Sequence, residues 1–307
     1  MANDRIGFIG LGHMGGSIAE RFLAAGVLKA VCDVNPANTK LFADKGVNVV
    51  STPRDVADNA DIVFACLPST KICEEVALGK DGVRHGRAVK VYVDTSTIGI
   101  KVARELAAAM PASIGFIDSP VSGGPPGARA GTLTTMTSGK REHFDRVFEA
   151  LSIMAKKVFY IGNEAGMAQT AKLINNHLSC AGRLAAFEGL VMAMKAGLDL
   201  NVLLDLINVS SGRNFTTTDK IRAGVLSGSF KFNGLLTNSL KDEALLIDEA
   251  NDLGVPLWLA PHMLDTIKEA AANGYKEKDS MEVIQFMGER AGIDVKDIVK
   301  KRYQDKP

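Results

Sequence analysis

Short apolar runs alternate with helix-forming segments through the first half of the chain. Ile6, Phe8 and Ile9 form a run typical of a buried parallel strand, and apolar residues at helical spacing follow over 18–23. Further strands are predicted at residues 29–34, 47–50, 62–67, 89–94 and 114–118. This βαβ rhythm predicts a doubly wound parallel sheet. Residues 132–138 and 158–161 could extend its far side, with antiparallel pairing as one option.

The second half of the chain has a helical pattern, and no strand rhythm returns after Gly162. Residues 166–196 are nearly uninterrupted helix-forming sequence, long enough for a spine that joins two domains. Further helices are predicted at 200–208, 240–251, 256–272 and 282–291, with loops at 210–214 and 227–229. Because 307 residues are long for one core, we predict a dinucleotide-binding domain at 1–163 and a helical substrate and oligomerisation domain at 164–307.

A glycine-rich turn joins the first predicted strand to the first helix. Gly10, Gly12 and Gly15 have GxGxxG spacing, with Leu11, His13 and Met14 between them. The first glycine allows a tight turn, the second lets a pyrophosphate approach the backbone, and the third lets helix and strand pack closely. Such turns also occur without a ligand, so a structural role is the alternative. The predicted fold is an α/β Rossmann-type doubly wound sheet followed by an all-α C-terminal domain.

Asp33 ends the second predicted strand, about 20 residues beyond the glycines, where a carboxylate can accept hydrogen bonds from a ribose diol. A carboxylate there would repel a 2′-phosphate, and Val34, Asn35 and Pro36 offer no arginine to hold one. The sequence therefore favours NAD over NADP. A turn aspartate without a ligand is the alternative.

Three loops follow predicted strand ends, where ligands bind in sheets of this kind. They span residues 67–69, 94–97 and 119–124. In the third loop, Gly123 and Gly124 would let consecutive backbone N–H groups converge on an anion, and the Ser122 hydroxyl would add a donor. We interpret this loop as a carboxylate pocket, with a plain turn as the alternative.

Lys172 and Asn176 are four residues apart on the predicted spine helix and therefore share one face. A partly buried lysine, with its pKa lowered from about 10.4, could exchange a proton with a hydroxyl or carbonyl while Asn176 orients the oxygen. An exposed helix lysine is the alternative. Lys241 and Asp242 lie near the start of a later helix, and either a site role or a solvated charge pair fits them.

Composition narrows the class of protein. With 36 basic and 35 acidic residues and no dense basic run, we expect neither a nucleic-acid nor a membrane partner. The 4 cysteines lack a CxxC pair and fit a reducing compartment. No signal peptide precedes the first strand, so we expect a cytoplasmic protein. The 5 histidines form no metal-binding pattern, and no metal is expected.

Taken in order, these motifs resemble those of the β-hydroxyacid dehydrogenase family, in particular its 3-hydroxyisobutyrate dehydrogenase and tartronate semialdehyde reductase branches. The resemblance covers essentially the whole chain and rests on residues 8–15, 118–124, 131–133, 166–176 and 241–242. It implies that Lys172 is the general acid/base and that Asn176 and residues 122–124 hold the substrate. It further implies cofactor contacts from the glycine turn and Asp33, together with Leu67, Pro68, Ser96, Thr97 and Lys241.

The resemblance also implies an activity, namely reversible hydride transfer between NAD and the alcohol carbon of a short β-hydroxy acid such as 3-hydroxyisobutyrate. A homodimer or homotetramer would be typical. The alternatives are an NADPH-linked reductase of tartronate or succinic semialdehyde, and a non-catalytic NAD-binding regulatory protein. Imine reductases share the fold without the lysine, so Lys172 argues against that activity. Ala168 stands where the family usually has a second glycine, and its methyl group could crowd the helix start.

Overall fold

The computed structural model describes residues 4–232 and 234–304. The chain divides into two compact units, one ending at Lys172 and the other beginning at Leu173. This division falls inside the long helix that the sequence predicted as a spine. The domain boundary expected between residues 163 and 164 stays a prediction.

The first unit is built on one nine-stranded sheet. Its strands are β1 (Ile6–Ile9), β2 (Leu28–Cys32), β3 (Asn48–Val49), β4 (Ile62–Ala65), β5 (Val91–Asp94), β6 (Gly115–Asp118), β7 (Val121–Ser122), β8 (Leu133–Ser138) and β9 (Ala155–Gly162). They lie in the order β3-β2-β1-β4-β5-β6-β8-β7, with β9 beside β8. The first six pair in parallel, in the order of doubly wound dinucleotide-binding sheets. The predicted fold class is confirmed.

The far side of the sheet is mixed. β8 pairs antiparallel with β6 and β7, while β9 runs parallel to β8. Both far-side strands predicted from the sequence are therefore present, and antiparallel pairing occurs where β8 meets β6. β7 was missed, because two residues between Pro120 and Gly123 are too few to show a strand period.

Helices connect these strands and cover the sheet. They are α1 (His13–Ala24), α2 (Pro36–Asp44), α3 (Pro53–Asn59), α4 (Thr70–Leu78), α5 (Gly99–Ala109), α6 (Gly124–Ala130), α7 (Arg141–Met154) and the first turns of α8 (Met167–Ala196). Two starts follow from the sequence: the Asn35 side chain caps α2, and Thr52 and Asp55 form a capping box at α3. Proline follows each cap, where its missing N–H costs nothing.

The central strands β1, β4, β5 and β6 are buried on both faces, which explains their continuous apolar sequence. Along β1, Ile6 and Phe8 enter one core cluster and Ile9 the other. Phe22 of α1 packs on Phe64 of β4 with ring centroids 4.9 Å apart. Burial of each such side chain stabilises the fold by roughly 1.5–3 kcal/mol, so the strands that carry the glycine turn are held firmly in the core.

The second unit is helical. It contains the rest of α8, α9 (Leu200–Asn208), a π-helix (Thr216–Leu226), α10 (Leu236–Asp252), α11 (Ala260–Ala270), α12 (Val283–Arg290) and α13 (Val295–Val299). In its described part, extended pairing is limited to the isolated bridge between Leu235 and Asp279. The all-α prediction is confirmed, and the bounds predicted for α9 match the structure.

One helix prediction in the second unit was wrong in detail, and one helical segment was not predicted. The helix expected from residue 256 begins only at Ala260, where Pro261 occupies the first turn. The π-helix was not predicted, since three consecutive threonines and Gly224 lower helix propensity. Burial of Ile221 and Val225 in the core of this unit overrides that local preference.

Three further structural facts concern residues 4–232 and 234–304. No helix there is long and apolar enough to cross a membrane. No group of three His, Cys, Asp or Glu residues there is arranged to hold a metal ion. The four cysteines, all within the described residues, form no disulfide.

Candidate active site

Two glycines of the turn after β1 are required by packing. Gly10 has a φ of +86°, and a Cβ there would lie 2.4 Å from the carbonyl oxygen of Cys66. A Cβ on Gly15 would lie 1.9 Å from the carbonyl oxygen of Gly10. Any larger residue at either position would force the turn open.

Gly12 differs from these two glycines. It precedes α1 with ordinary extended dihedrals, and a Cβ there would have no heavy atom within 4 Å. His13 is exposed and Met14 half-buried in the first turn of α1, whereas Leu11 is buried in the core. Open space beside the unpaired N–H groups of a helix start suits a pyrophosphate, so the residues present fit a dinucleotide.

Asp33 connects the end of β2 to the glycine turn. Its Oδ2 accepts a hydrogen bond from the Leu11 backbone N–H at 2.5 Å. Its Oδ1 accepts from the Asn35 N–H at 2.7 Å and from Asn38 Nδ2 at 3.2 Å. The turn role weighed in the sequence analysis is therefore present. A carboxylate has about four acceptor positions, so capacity for a ribose hydroxyl remains.

The loops after β4 and β5 meet beside the glycine turn. The Leu67 N–H donates to Ser96 Oγ at 2.9 Å, and the buried Asp94 accepts from the Ser96 N–H at 2.7 Å. The Leu67 side chain lies 2.9 Å from the position of a Cβ on Gly10. Of their predicted neighbours, Pro68 is exposed and Thr97 is half-buried. The first unit thus brings the glycine turn, Asp33, Leu67 and Ser96 together.

The start of α8 is fixed by side chains from the sheet. Asp118, at the end of β6, accepts from the Gly166 N–H at 3.0 Å. Ser138, at the end of β8, accepts from the Ala168 N–H at 2.9 Å and donates to Asp118 at 2.7 Å. These bonds satisfy N–H groups that a helix start leaves without partners. Ala168 is fully buried in this arrangement.

Gln169, which the sequence analysis missed, ties the same helix to the loop after β5. Its Oε1 accepts from the Ile98 N–H at 2.9 Å, and its Nε2 donates to the Ser96 carbonyl at 3.1 Å. Lys172 lies three residues further on, one turn along the same side of α8. Its side chain is 8% exposed, so the alternative of an exposed helix lysine is excluded. The only sequence signal for Gln169 was a polar residue one turn before the lysine.

The ionised carboxylate of Asp118 destabilises the folded protein because it is buried. Burial is the main cause that raises its pKa to about 6, although the Gly166 N–H and Ser138 bonds act in the opposite direction. Its Oδ2 is buried without a hydrogen-bond partner. Because the folded pKa exceeds the ordinary 3.8, folding favours the protonated carboxyl. This carboxyl therefore lowers the free energy of unfolding as the pH rises from about 4 to about 6, and the loss is complete above that.

We expect Asp118→Asn to remove this pH dependence. Relative to the variant, the free energy of unfolding of the unchanged protein should fall by on the order of 3 kcal/mol between about pH 4 and pH 7, at 1.36 kcal/mol per pKa unit. Urea unfolding of both chains across this range measures the difference, and titrations common to both cancel. A difference that does not vary with pH would contradict the account.

In the second unit, Asn176 of α8 is held by α10. Its Nδ2 donates to Asp242 Oδ2 at 2.7 Å, and Lys241 Nζ lies 3.5 Å from Asp242 Oδ1. One residue along each helix, His177 Nδ1 lies 2.9 Å from Glu243 Oε2. Two neighbouring polar pairs thus fix the rotation of α8 against α10. The predicted residues Asn176 and Lys241 come together through Asp242.

Residues 122–124 have the backbone form expected of an anion-binding loop. Ser122 ends β7, and Gly123 and Gly124 follow with φ values of +128° and +64°. Only glycine adopts such values without strain, and they allow neighbouring N–H groups to converge. Ser122 and Gly124 are half-buried and Gly123 is exposed, so the loop is open to a ligand. Its substrate role stays a prediction.

A doubly wound sheet, a GxGxxG turn with open space at its second glycine, an acid after β2 and a buried lysine define a nicotinamide-dependent oxidoreductase. Residues 5–162 match a family model described as the NAD binding domain of 6-phosphogluconate dehydrogenase. Residues 166–298 match one described as NAD-binding of NADP-dependent 3-hydroxyisobutyrate dehydrogenase. The chain belongs to the β-hydroxyacid dehydrogenase family, and it is a nicotinamide-dependent dehydrogenase that acts on a CH–OH group.

Individual relatives agree with this assignment. The chain is 34% identical to the mitochondrial 3-hydroxyisobutyrate dehydrogenase of Homo sapiens, over 92% of this chain and 87% of the relative. It is 31% identical to the 2-(hydroxymethyl)glutarate dehydrogenase of Eubacterium barkeri, over 95% and 97%. A crystal structure of 3-hydroxyisobutyrate dehydrogenase from Salmonella typhimurium superposes with a TM-score of 0.82 at 28% identity, covering 92% of this chain and 100% of that one.

Proposed function

We propose that this protein transfers a hydride between NAD and the alcohol carbon of a short β-hydroxy acid of the 3-hydroxyisobutyrate type. The observation that carries the proposal is the buried Lys172. It lies one turn after Gln169, which bonds the Ser96 carbonyl, and one turn before Asn176. The names of the relatives support this substrate class. The same machinery would also run in the direction of reduction, since hydride transfer is reversible.

In the proposed reaction, Lys172 takes the hydroxyl proton during oxidation and returns a proton to the carbonyl during reduction. The nicotinamide, when bound, accepts or supplies the hydride. Asn176, oriented by its bond to Asp242, holds the reacting oxygen. The loop of Ser122, Gly123 and Gly124 holds the carboxylate, which fixes its distance from the reacting carbon.

The proposed cofactor contacts come from the glycine turn and the loops around it. They are Gly10, Leu11, Gly12, His13, Met14, Gly15, Asp33, Leu67, Pro68, Ser96, Thr97 and Lys241. Backbone N–H groups of the turn would meet the pyrophosphate, and Asp33 would meet the adenosine ribose. NAD is the proposed cofactor because Asp33 is anionic and no cation occupies residues 34–36.

A specific observation favours a second candidate, an NADPH-linked reductase of small semialdehydes. The family model that matches residues 166–298 describes an NADP-dependent enzyme. The two candidates differ in cofactor and working direction but share the roles of Lys172 and Asn176. The charge at Asp33 separates them.

We expect Asp33→Asn to narrow the preference for NAD over NADP by at least about tenfold, an effect of roughly 1.4 kcal/mol. Asparagine keeps an oxygen for the Leu11 N–H and removes the charge, whereas alanine would also release the turn. The measurement is kcat/KM with each cofactor, with Asp33→Ala as the comparison for stability. An unchanged preference in Asp33→Asn would remove this carboxylate from cofactor selection.

The direct test of the proposed function is the absorbance of reduced nicotinamide, recorded with NAD and with NADP. Suitable substrates are 3-hydroxyisobutyrate, 3-hydroxypropionate, glycerate, serine and 2-(hydroxymethyl)glutarate. Turnover of a β-hydroxy acid with NAD supports the proposal. Activity confined to NADPH and semialdehydes would favour the second candidate, and no turnover of any β-hydroxy acid with either cofactor would contradict the first.

We also propose that the protein is a cytoplasmic homodimer or homotetramer. Large apolar side chains are exposed on α8, at Ile174, Leu178 and Met192, and on α9, at Val202 and Leu206. Association of copies would remove this surface from water. Light scattering coupled to size exclusion gives the mass directly, and a monomer at micromolar concentration would contradict the oligomer.

A further inference from the structure

The second unit contains a cavity with Asn176 on its wall. Its volume is about 160 Å³, room for several water molecules or a short carboxylate-bearing chain. The wall is formed by residues of α8, the π-helix and α10, together with Phe232, Gly234, Leu235, Ser280 and Met281. Two cations line it beyond Asn176: Arg183, seven residues further along α8, and Lys220 of the π-helix.

Arg183 is buried in this wall, and not all of its N–H donors have hydrogen-bond partners. Its side chain is 5% exposed, and its Nη2 donates to Ser239 Oγ at 2.9 Å and to Cys180 Sγ at 3.4 Å. Both acceptors are uncharged. Its Nε is buried without a hydrogen-bond partner. A guanidinium has five N–H donors, and a buried cation is stable only with anionic or strong acceptor partners. The site therefore favours an added anion.

Lys220 approaches the same cavity from the π-helix. Its Nζ donates to Ser179 Oγ at 3.3 Å and lies over the rings of Phe215 and Phe232, at 5.2 and 5.5 Å from the centroids. Burial, followed by the positive charge of Arg183, lowers the pKa of Lys220 to about 8. Asp219 and Asp279 act in the opposite direction without offsetting this shift.

Two carboxylates, those of Asp242 and Glu243, also line the cavity, and each is paired with a group other than the two cavity cations. Asp242 accepts from Asn176 and lies 3.5 Å from Lys241 Nζ, and Glu243 bonds His177. Within residues 4–232 and 234–304, no ion pair joins a carboxylate to either cavity cation. The hydrogen bonds of both cations go to neutral oxygen and sulfur atoms. The cavity thus presents two positive charges, neither paired with a carboxylate, to any molecule held at Asn176.

We propose that Arg183 and Lys220 bind a second carboxylate of the substrate, so that the substrate is a hydroxy-dicarboxylate. This inference rests on the proposed function in one respect, the placement of the reacting oxygen at Asn176. Arg183 and Asn176 are two helical turns apart, a rise of roughly 10 Å, so a short carbon chain joins the two groups. A monocarboxylate would leave both cations with only their uncharged hydrogen-bond partners.

A matched pair of substrates tests the second carboxylate by turnover. 2-(Hydroxymethyl)glutarate and 2-(hydroxymethyl)pentanoate share the reacting end and differ in the charge at the distal end. We expect kcat/KM to favour the dicarboxylate by at least about 100-fold, equivalent to roughly 2.7 kcal/mol. Arg183→Met should reduce that ratio at least about tenfold, mainly through KM of the dicarboxylate. Equal kcat/KM for the two acids in the unchanged protein would overturn the proposal.

Binding distinguishes failure of this inference from failure of the proposed function. Glutarate and butyrate, added separately to the whole protein without cofactor, should protect it differently against thermal unfolding, with glutarate giving the larger rise in Tm. Arg183→Met and Lys220→Met should each abolish that difference. Equal protection by the two acids overturns the inference whatever the outcome of the turnover assays, whereas selective protection without turnover counts against the proposed function alone.

A control variant and two further variants show whether the selectivity for glutarate depends on Arg183 and Lys220 specifically. Arg222→Met removes an arginine from the same π-helix that pairs with Asp205 at the surface, and it should leave the selectivity for glutarate unchanged. If Arg183→Met does not fold, Arg183→Lys takes its place, because it retains the positive charge and removes the Nε donor. Lys220→Met separately removes the positive charge that the π-helix contributes to the cavity. Selectivity that survives in both Arg183→Lys and Lys220→Met would overturn the assignment of these two residues.

Discussion

Replacing Lys172 by methionine will lower kcat by on the order of 10²–10⁴-fold, the usual contribution of a positioned acid/base group. Methionine keeps an unbranched stem in the buried position and removes the amine. In the proposed reaction, the amine of Lys172 takes the hydroxyl proton as the hydride leaves the alcohol carbon, and a thioether cannot take its place. Binding of the cofactor, measured by its protection against thermal unfolding, should stay close to that of the unchanged protein.

The matched control for this variant is Lys195→Met. Lys195 lies near the C-terminal end of the same helix, is exposed and donates to the Ala291 carbonyl at 2.7 Å. We expect its loss to leave kcat unchanged. If Lys172→Met keeps full kcat, the lysine has no catalytic role. If it loses cofactor binding together with turnover, Lys172 supports the fold or the cofactor site instead of the reaction.

The second large effect separates the glycines of the turn. Gly12→Ala should fold normally, because its Cβ would meet no heavy atom within 4 Å, yet it should raise the cofactor Kd at least about tenfold by filling the space beside α1. Gly15→Ala should instead lose roughly 1–3 kcal/mol or more of stability through overpacking against the Gly10 carbonyl. Urea unfolding without cofactor and titration with cofactor measure the two effects.

The pair of variants gives a clear decision. Normal cofactor binding in Gly12→Ala would mean that the pyrophosphate does not approach this glycine. Normal stability in Gly15→Ala would mean that the turn relaxes easily, against the close contact seen between Gly15 and Gly10. The first result would weaken the assignment of the turn as the dinucleotide site, and the second would contradict the packing argument for Gly15.

The fold was predictable to the extent that each element has a local signature. Parallel strands buried on both faces, such as β1 and β4, appear in the sequence as unbroken apolar runs. The starts of helices α2 and α3 are marked by a capping residue followed by a proline. β7 and the π-helix have no such signature. β7 depends on pairing with β8, and the π-helix depends on burial of its apolar residues in the helical core.

Some residues of the candidate site also have a local sequence signal, and others do not. Spacing along the chain made the glycine turn, Asp33, Lys172 and Asn176 candidates, and the resemblance to the family gave Lys172 and Asn176 their predicted roles. Gln169 was missed because its partner atoms lie about 70 residues away in the loop after β5. Only the folded chain brings such groups together.

The cavity cations were missed for a related reason. Arg183 and Lys220 are ordinary charged residues in helical sequence, and nothing local distinguishes them from a solvated face. Their shared cavity exists only once α8 and the π-helix pack together. Arg183 becomes informative when its burial and its Nε without a partner are known.

The central claim is that hydride passes directly between the alcohol carbon and the nicotinamide. It is tested most directly with 3-hydroxyisobutyrate in which deuterium replaces both hydrogens of the alcohol carbon, incubated with the protein and NAD, followed by mass spectrometry of the reduced cofactor. The account predicts one deuterium in each reduced nicotinamide, formed at least about 100-fold more slowly in Lys172→Met. Unlabelled reduced cofactor, or no reduction with this substrate or any other deuterated β-hydroxy acid, would contradict it.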